Sequence, residues 1–145
     1  MAGIVVGMDG SARAGRALSW AMEEAALRQT PLTVLTVHET IVSHATGNPV
    51  IYADAPAGAE KQRQLVEGAV EKVSGRLGYA KPPSVTVRAV IGLPAQELID
   101  ASRDADLVVV GSRGGGGFAS LLLGSVSSKV VHHAICPVTV VPYER

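Results

Sequence analysis

Five short apolar runs, rich in valine and isoleucine, alternate along the chain with segments of helical periodicity. The runs cover residues 3–7, 32–38, 85–90, 107–110 and 137–141. Runs that are apolar on both faces are typical of parallel strands, because helices cover both sides of a parallel sheet. The alternation therefore predicts a βαβαβαβαβ chain with a parallel sheet, no internal repeat and no linker.

Four segments between these runs carry apolar residues at helical spacing. They cover residues 14–25, about 60–77, a stretch from Pro94, and 125–134. Gly78 is expected to end the second helix, because glycine adopts the left-handed conformation of a C-cap without strain. Residues 39–58 show no clear period and are rich in glycine, proline and asparagine. We expect a long loop there, of the kind that often forms a lid or a mobile segment.

The predicted fold is α/β: a single-domain, Rossmann-like three-layer sandwich over residues 1–145. Its five-stranded parallel sheet is expected to have the order 3-2-1-4-5, with helices on both faces. Such sheets bind ligands at the carboxyl ends of the strands, where the strand order reverses. The turn at residues 7–11 and the loop at residues 111–125 are therefore expected to meet.

The composition excludes several classes of partner. Thirteen basic and thirteen acidic side chains cancel, which argues against a broad face for nucleic acid. Aromatic residues make up only 3% of the chain, too few for platforms that stack bases. No apolar run approaches the ~20 residues of a membrane span, and the N-terminus enters a strand-like run without a basic signal region. With its single cysteine, Cys136, the chain cannot form an internal disulfide. We therefore expect a cytoplasmic protein with no nucleic-acid or membrane partner.

The stretch GSRGGGGFASLLLGS, residues 111–125, directly follows the fourth apolar run. A P-loop needs a lysine directly after its second glycine, and here the next lysine is Lys129, so a P-loop is excluded. A dinucleotide-binding fingerprint fits Gly114, Gly116 and Ala119, as it does in almost any run of glycines. It also needs an acidic residue about 20 positions later, and none lies between Ala119 and Tyr143. That interpretation is rejected as well.

What remains is Gly111-x-x-Gly114, nine residues, and then Gly124-Ser125. In this spacing, directly after the predicted fourth strand, the chain resembles the nucleotide-binding branch of the universal stress protein family. The opening GIVVGMDGS resembles that family's first strand and its aspartate, and the closing CPVTVVP resembles its final strand. The resemblance covers essentially all 145 residues. It implies binding of an adenine nucleotide: ATP, or else AMP or cyclic AMP, with Mg²⁺ or Mn²⁺ held by the nucleotide phosphates.

The resemblance and the chemistry of the loop together define a candidate site. The family places its aspartate, here Asp9, and the small residue matching Gly7 in the nucleotide site, and a backbone position matching Val37 beside the adenine. The glycines can expose N–H groups to a phosphate, as can the start of the fourth helix, where serine hydroxyls add donors. The full candidate set is Gly7, Asp9, Val37, Val110, Gly111, Ser112, Arg113, Gly114, Gly115, Gly116, Gly117, Gly124, Ser125, Val126 and Ser127.

Structural alternatives stand beside these roles. The glycine loop could be a flexible connection between a strand and a helix. Asp9 could be a turn residue that caps the first helix. Arg113 could offer a planar fork to a phosphate or point into solvent. His38 is interpreted as a polar strand end rather than a site residue.

No side-chain metal site is predicted. His132, His133 and Cys136 lie close together in the sequence, but they supply three soft ligands where a structural zinc site needs four. Histidines at the end of a helix also interact favourably with the helix dipole.

Catalytic signatures are absent from the sequence. There is no Gly-x-Ser-x-Gly elbow and no His-Glu-x-x-His motif. Phosphoryl transfer needs a metal-holding carboxylate and a base, and Asp9 is the only obvious carboxylate in the two converging turns. The residues therefore favour binding over turnover, and the resemblance implies a binding module for stress response or signalling, with an unknown protein partner. Two alternatives remain: a slow ATP hydrolase of the adenine nucleotide α-hydrolase-like class, and a nucleotide-free dimeric scaffold.

The last apolar run is expected to be an edge strand. An apolar edge exposes N–H and C=O groups that can pair with another strand, and the prolines at both ends limit that pairing. The resembling family pairs this strand with its own copy across a two-fold axis. We therefore expect a homodimer through Val138–Val141.

Overall fold

The computed structural model describes residues 3–9, 14–39, 41–42, 49–50, 55–112 and 123–142. Within these residues it has seven strands and four helices. In chain order they are β1 (Ile4–Met8), α1 (Gly15–Arg28), β2 (Leu32–Glu39), β3 (Ile41–Val42), β4 (Pro49–Val50), α2 (Ala55–Leu77), β5 (Val85–Gly92), α3 (Pro94–Ala101), β6 (Leu107–Gly111), α4 (Ser125–His133) and β7 (Val138–Val141).

The main sheet has five parallel strands in the order β5-β2-β1-β6-β7. This is the predicted 3-2-1-4-5 order once the short β3–β4 pair is set aside. β1 lies at the centre, with Ile4 opposite Leu32 of β2 on one side and Leu107 of β6 on the other. Because every β-α-β connection returns to a parallel strand, the helices have to cross over the faces of the sheet.

Each face of the sheet carries its own apolar cluster, because neighbouring side chains of a strand point to opposite faces. On one face, Ile4, Val6 and Val109 pack with Leu18 and Met22 of α1, and α2 lies beside α1. On the other face, α3 and α4 pack over the sheet. The buried residues of this second cluster come from the strands and from the two helices: Leu35, Val37, Leu98, Val108, Val110 and Val130. This confirms the three-layer arrangement with helices on both faces.

The predicted loop at residues 39–58 is wrong in part. Ile41–Val42 pairs antiparallel with Pro49–Val50, and α2 begins at Ala55, before the expected start near residue 60. Gly58 was interpreted as a loop glycine, but it lies in the first turns of α2. A Cβ atom on Gly58 would lie 2.6 Å from Cε1 of His38, so this glycine is needed for close packing. Local sequence does not reveal that requirement, because the contact depends on tertiary packing.

The predicted end of α2 at Gly78 is confirmed. Gly78 has a φ of +62° and donates its N–H to the Ser74 carbonyl at 3.1 Å. A left-handed glycine that satisfies a terminal carbonyl ends a helix at low cost. Of the helices in the described residues, none combines the length and apolar character needed to cross a membrane.

Ser102 joins the two helices of the second face. It is 1% exposed; its hydroxyl donates to the Ile99 carbonyl and accepts from the Ile135 N–H at 2.9 Å. Ser102→Ala leaves the Ile135 N–H without this acceptor, so we expect a loss of about 1–3 kcal/mol in the free energy of unfolding. Urea denaturation measures this loss, with the exposed Ser84→Ala as the control. Equal stability of the two variants would contradict this role.

Candidate functional site

A cavity of about 270 Å³ lies at the carboxyl ends of β1, β2 and β6. The chain continues from β1 to β2 on one side, while β6 and β7 lie on the other, so the strand order reverses between β1 and β6. This is the position at which open parallel sheets bind ligands. The cavity is lined by Gly7, Met8, Asp9, Ala14, Leu35, Val37, Glu39, Pro94, Leu98, Val110, Gly111, Gly124, Ser125, Val126 and Ser127.

The structure brings together most of the predicted site residues that it describes. Nine of them line the cavity: Gly7, Asp9, Val37, Val110, Gly111, Gly124, Ser125, Val126 and Ser127. Ser112 lies next to them and connects β6 to α4. The remaining predicted residues, Arg113, Gly114, Gly115, Gly116 and Gly117, lie outside the described residues.

Gly7 allows α3 to pack close to the sheet beside the cavity. A Cβ atom at this position would lie 2.8 Å from Cδ1 of Leu98, a buried residue of α3. Two residues later, Asp9 directly follows β1 and is exposed. The end of β1 therefore presents a bare backbone and then a carboxylate to the cavity.

The end of β2 borders the cavity through its backbone. The pairing of β1 with β2 ends at Met8 opposite Thr36, so Val37 extends past the neighbouring strand. The amide of Gln62, on α2, donates to the Val37 carbonyl at 3.2 Å and also to the Thr36 hydroxyl. These two hydrogen bonds hold the end of β2 in place from the opposite face of the sheet.

Ser112 connects the end of β6 to the start of α4 and to β7. Its carbonyl accepts from the Gly124 N–H at 2.6 Å and from the Ser127 hydroxyl at 3.0 Å. Its own N–H donates to the Val141 carbonyl at 2.9 Å. Ser127 is 2% exposed, and its hydroxyl also lies 3.2 Å from the Gly124 carbonyl. The Ser127 hydroxyl therefore donates its proton to a carbonyl within the protein. The sequence predicts instead that this hydroxyl donates to a ligand.

The N-terminus of α4 faces the cavity and carries a partial positive charge. Its N-cap residue, Gly124, has no side chain to cap the first turn, and that turn contains no acidic residue. Unpaired N–H groups and the positive end of the helix dipole favour an anion at such a position. Exposed Ser125 adds a hydroxyl beside these N–H groups. The arrangement suits a phosphate.

The other titratable candidates lie away from this cavity. The His38 ring packs against Gly58 and does not line the cavity, in agreement with a role at the strand end. Burial raises the pKa of the Cys136 thiol, whose S–H donates to the Pro137 carbonyl at 3.4 Å. A thiol that resists deprotonation is a poor nucleophile and a poor metal ligand. In the described part of the chain, no cluster of three or more histidine, cysteine or acidic side chains could hold a metal ion.

Sequence reasoning missed six residues that line the cavity. They are Met8, Ala14, Leu35, Glu39, Pro94 and Leu98. Glu39 could have been found, because it lies two residues after Val37 at the carboxyl end of the same strand. Leu35 and Leu98 look like ordinary core residues, and only the packing of α3 against the sheet brings them to the cavity.

Comparisons with known proteins identify the family to which this fold belongs. The Universal stress protein family profile matches residues 2–142. The chain is 38% identical over 141 residues to universal stress protein Rv2005c of Mycobacterium tuberculosis, and the match covers 96% of the chain and 47% of that relative. The chain therefore spans about half the length of the curated relatives it matches.

Two solved structures share the fold over nearly their whole lengths. One is the universal stress protein UspA from Lactobacillus plantarum, with a TM-score of 0.71, 26% identity and coverage of 97% of each chain. The other is a universal stress protein in complex with cAMP, with a TM-score of 0.65, 27% identity and coverage of 95% of this chain and 94% of the other. On the family match, the identity to curated relatives and the shared fold, this chain belongs to the universal stress protein family.

Proposed function

We propose that this protein binds an adenine nucleotide in the cavity at the carboxyl ends of β1, β2 and β6. The observation that carries the proposal is the convergence on one cavity of a helix N-terminus, a carboxylate and the end of β2, which extends past β1. A phosphate at the start of α4 satisfies the helix N–H groups. The Asp9 carboxylate suits the hydroxyl groups of a ribose, and the backbone of Val37 suits the edge of the base.

The relative solved with cAMP supports the choice of an adenine nucleotide, since it is 27% identical and shares the fold over most of its length. Within this class we favour ATP, because the glycine-rich spacing after β6 suits a longer phosphate chain. AMP and cyclic AMP are the alternatives. Asp9 and Glu39 are the carboxylates that line the cavity in the described residues. Mg²⁺ or Mn²⁺ would be held by the nucleotide phosphates and would neutralise their charge.

Binding without rapid turnover is the second part of the proposal. Phosphoryl transfer requires a base beside the terminal phosphate in addition to metal-holding groups. In the described residues, the cavity lining includes no histidine or lysine; its carboxylates, Asp9 and Glu39, lie at the ends of β1 and β2, which we assign to the ribose and the base, and the Ser127 hydroxyl is already bonded to backbone carbonyls. The bound nucleotide then acts as a signal to a protein partner. A cytoplasmic location, as expected from the sequence, belongs to the same proposal.

Isothermal titration calorimetry with AMP, cyclic AMP and ATP, each with and without Mg²⁺, tests the proposal. We expect saturable binding of adenine nucleotides and weaker binding of GTP. No heat at high-micromolar adenine nucleotide would refute nucleotide binding and favour the scaffold alternative. Incubation of ATP with a small amount of protein separates the remaining alternative, because many ADP molecules per protein would indicate a hydrolase.

Asp9→Ala should weaken AMP binding by about 10-fold, because a hydrogen bond to a charged group contributes roughly 1.5–3 kcal/mol. The free energy of unfolding of the unliganded protein should fall by no more than about 1 kcal/mol, the cost of a lost helix cap, because Asp9 is exposed. The matched control is Asp104→Ala, which removes an exposed carboxylate outside the cavity. An unchanged dissociation constant combined with a lower melting temperature would make Asp9 a structural residue only.

A further inference from the structure

A second and larger hollow lies beside the proposed nucleotide cavity. This groove has a volume of about 580 Å³ and runs between α3 and α4. It is lined by Glu39, Leu93, Pro94, Ala95, Gln96, Ile99, Ser125, Val126, Lys129 and His133. Glu39, Pro94, Ser125 and Val126 line both hollows. A ligand whose phosphate lies at the start of α4 can therefore extend directly into the groove.

One wall of the groove carries a hydroxyl, an ammonium group and an imidazole, which suit a phosphate and a group attached to it. Ser125, Lys129 and His133 follow one another at intervals of four along α4, so they lie on the same face of the helix. In the described residues, no carboxylate forms an ion pair with Lys129 or His133. Lys129 therefore offers an ammonium group one helical turn beyond the proposed phosphate position, and His133 offers an imidazole one turn further.

The floor of the groove is apolar. Leu93, Pro94, Ile99 and Val126 contribute to it, and Leu93 remains 37% exposed. A chain of phosphates gains nothing from such a surface, whereas the flat face of a base or the body of a nucleoside buries apolar area against it. The groove thus combines a cation next to the phosphate position with an apolar surface beyond it.

We infer that the groove binds the second nucleoside of a dinucleoside phosphate whose first nucleoside occupies the proposed nucleotide cavity. The inference rests on the proposed function. Lys129 contacts the bridging phosphates, and His133 lies beside the second nucleoside. A cavity of about 580 Å³ falls well within the range of roughly 300–1,000 Å³ that is usual for small-molecule sites, whereas the nucleotide cavity alone is near its lower limit.

The test compares diadenosine diphosphate with ADP, which carries the same number of phosphates but lacks the second nucleoside. Calorimetry should give about 10-fold tighter binding of diadenosine diphosphate, the ratio that corresponds to about 1.4 kcal/mol. Equal affinity for the two ligands would overturn the inference and leave the proposed function intact. Failure of both ligands to bind would overturn both.

Two sets of variants locate the second nucleoside. Ala95→Trp fills the groove without changing its charge, and it should abolish the difference between the two ligands while ADP binds as in the parent. His133→Ala should weaken only diadenosine diphosphate, and His132→Ala, which removes the neighbouring exposed imidazole outside the groove, should weaken neither. Lys129→Ala should weaken both ligands, because it contacts the phosphates that they share. If His133→Ala and His132→Ala behave alike, or Ala95→Trp leaves the difference between the ligands unchanged, the second nucleoside does not lie in this groove.

Discussion

Ser125→Asp is expected to weaken AMP binding by roughly 100- to 1,000-fold, because a carboxylate at about 4–5 Å from the phosphate costs roughly 3–4 kcal/mol at an effective dielectric constant of 20. Ser125 is the first residue of α4, and it is exposed at the edge of the cavity. The new carboxylate would lie beside the position proposed for the phosphate and would compete with it for the same helix N–H groups.

The same substitution should not destabilise the protein. A carboxylate in the first turn of a helix stabilises it by about 0.3–1 kcal/mol, and α4 has no acidic residue in that turn. We therefore expect an unchanged or higher melting temperature in the unliganded protein. The distinctive result is weaker AMP binding together with unchanged or higher stability, because a misfolded variant would lose both.

Two controls isolate the phosphate. Asparagine is similar in size to aspartate but uncharged, so Ser125→Asn should bind AMP within a few-fold of the parent. Adenosine, which has no phosphate, should bind Ser125→Asp as it binds the parent. If Ser125→Asp retains the affinity of the parent for AMP, the phosphate does not bind at the start of α4.

Val140→Pro is expected to convert a dimer into a monomer of 14.9 kDa. Among the described strands, β7 is an edge of the main sheet. Pro137 and Val141 direct their carbonyls to β6, where they accept from the N–H groups of Val108 and Ser112. In a parallel strand the backbone groups alternate in direction, so Val138 and Val140 direct theirs away from β6. Pairing with a second copy of β7 would use these groups.

Proline at position 140 removes one outward N–H and leaves the pairing of β7 with β6 intact, since edge strands tolerate proline there. Its ring also resembles valine in size, which limits the loss of packing against the second apolar cluster. The matched control is Val140→Ile, which keeps the N–H and should keep the dimer. Multi-angle light scattering at micromolar concentration measures the mass. A parent protein that is already monomeric, or a proline variant that still dimerises, would show that β7 is not the interface.

Local patterns in the sequence were sufficient to predict the fold. Strands that are apolar on both faces can only be buried between layers of helices, so runs such as residues 107–110 predict a parallel sheet without knowledge of any contact. The spacing from Gly111 to Ser125 likewise identified the family, because the glycines and the helix start lie within one stretch of 15 residues. The end of α2 at Gly78 could be predicted for the same reason.

Two properties of the site depend on tertiary packing: which side chains lie together, and which of them already form hydrogen bonds within the protein. Ser125 and Ser127 look alike in sequence, yet the Ser127 hydroxyl bonds to the Ser112 carbonyl while Ser125 is exposed at the cavity. Gly58 resembles a loop residue until the His38 ring is found against it. The groove between α3 and α4 joins residues of the two helices that are at least 26 positions apart, and its shape depends on how the helices pack on the sheet. Periodicity and glycine spacing are properties of neighbours in the chain, whereas these contacts arise between segments that meet only after folding.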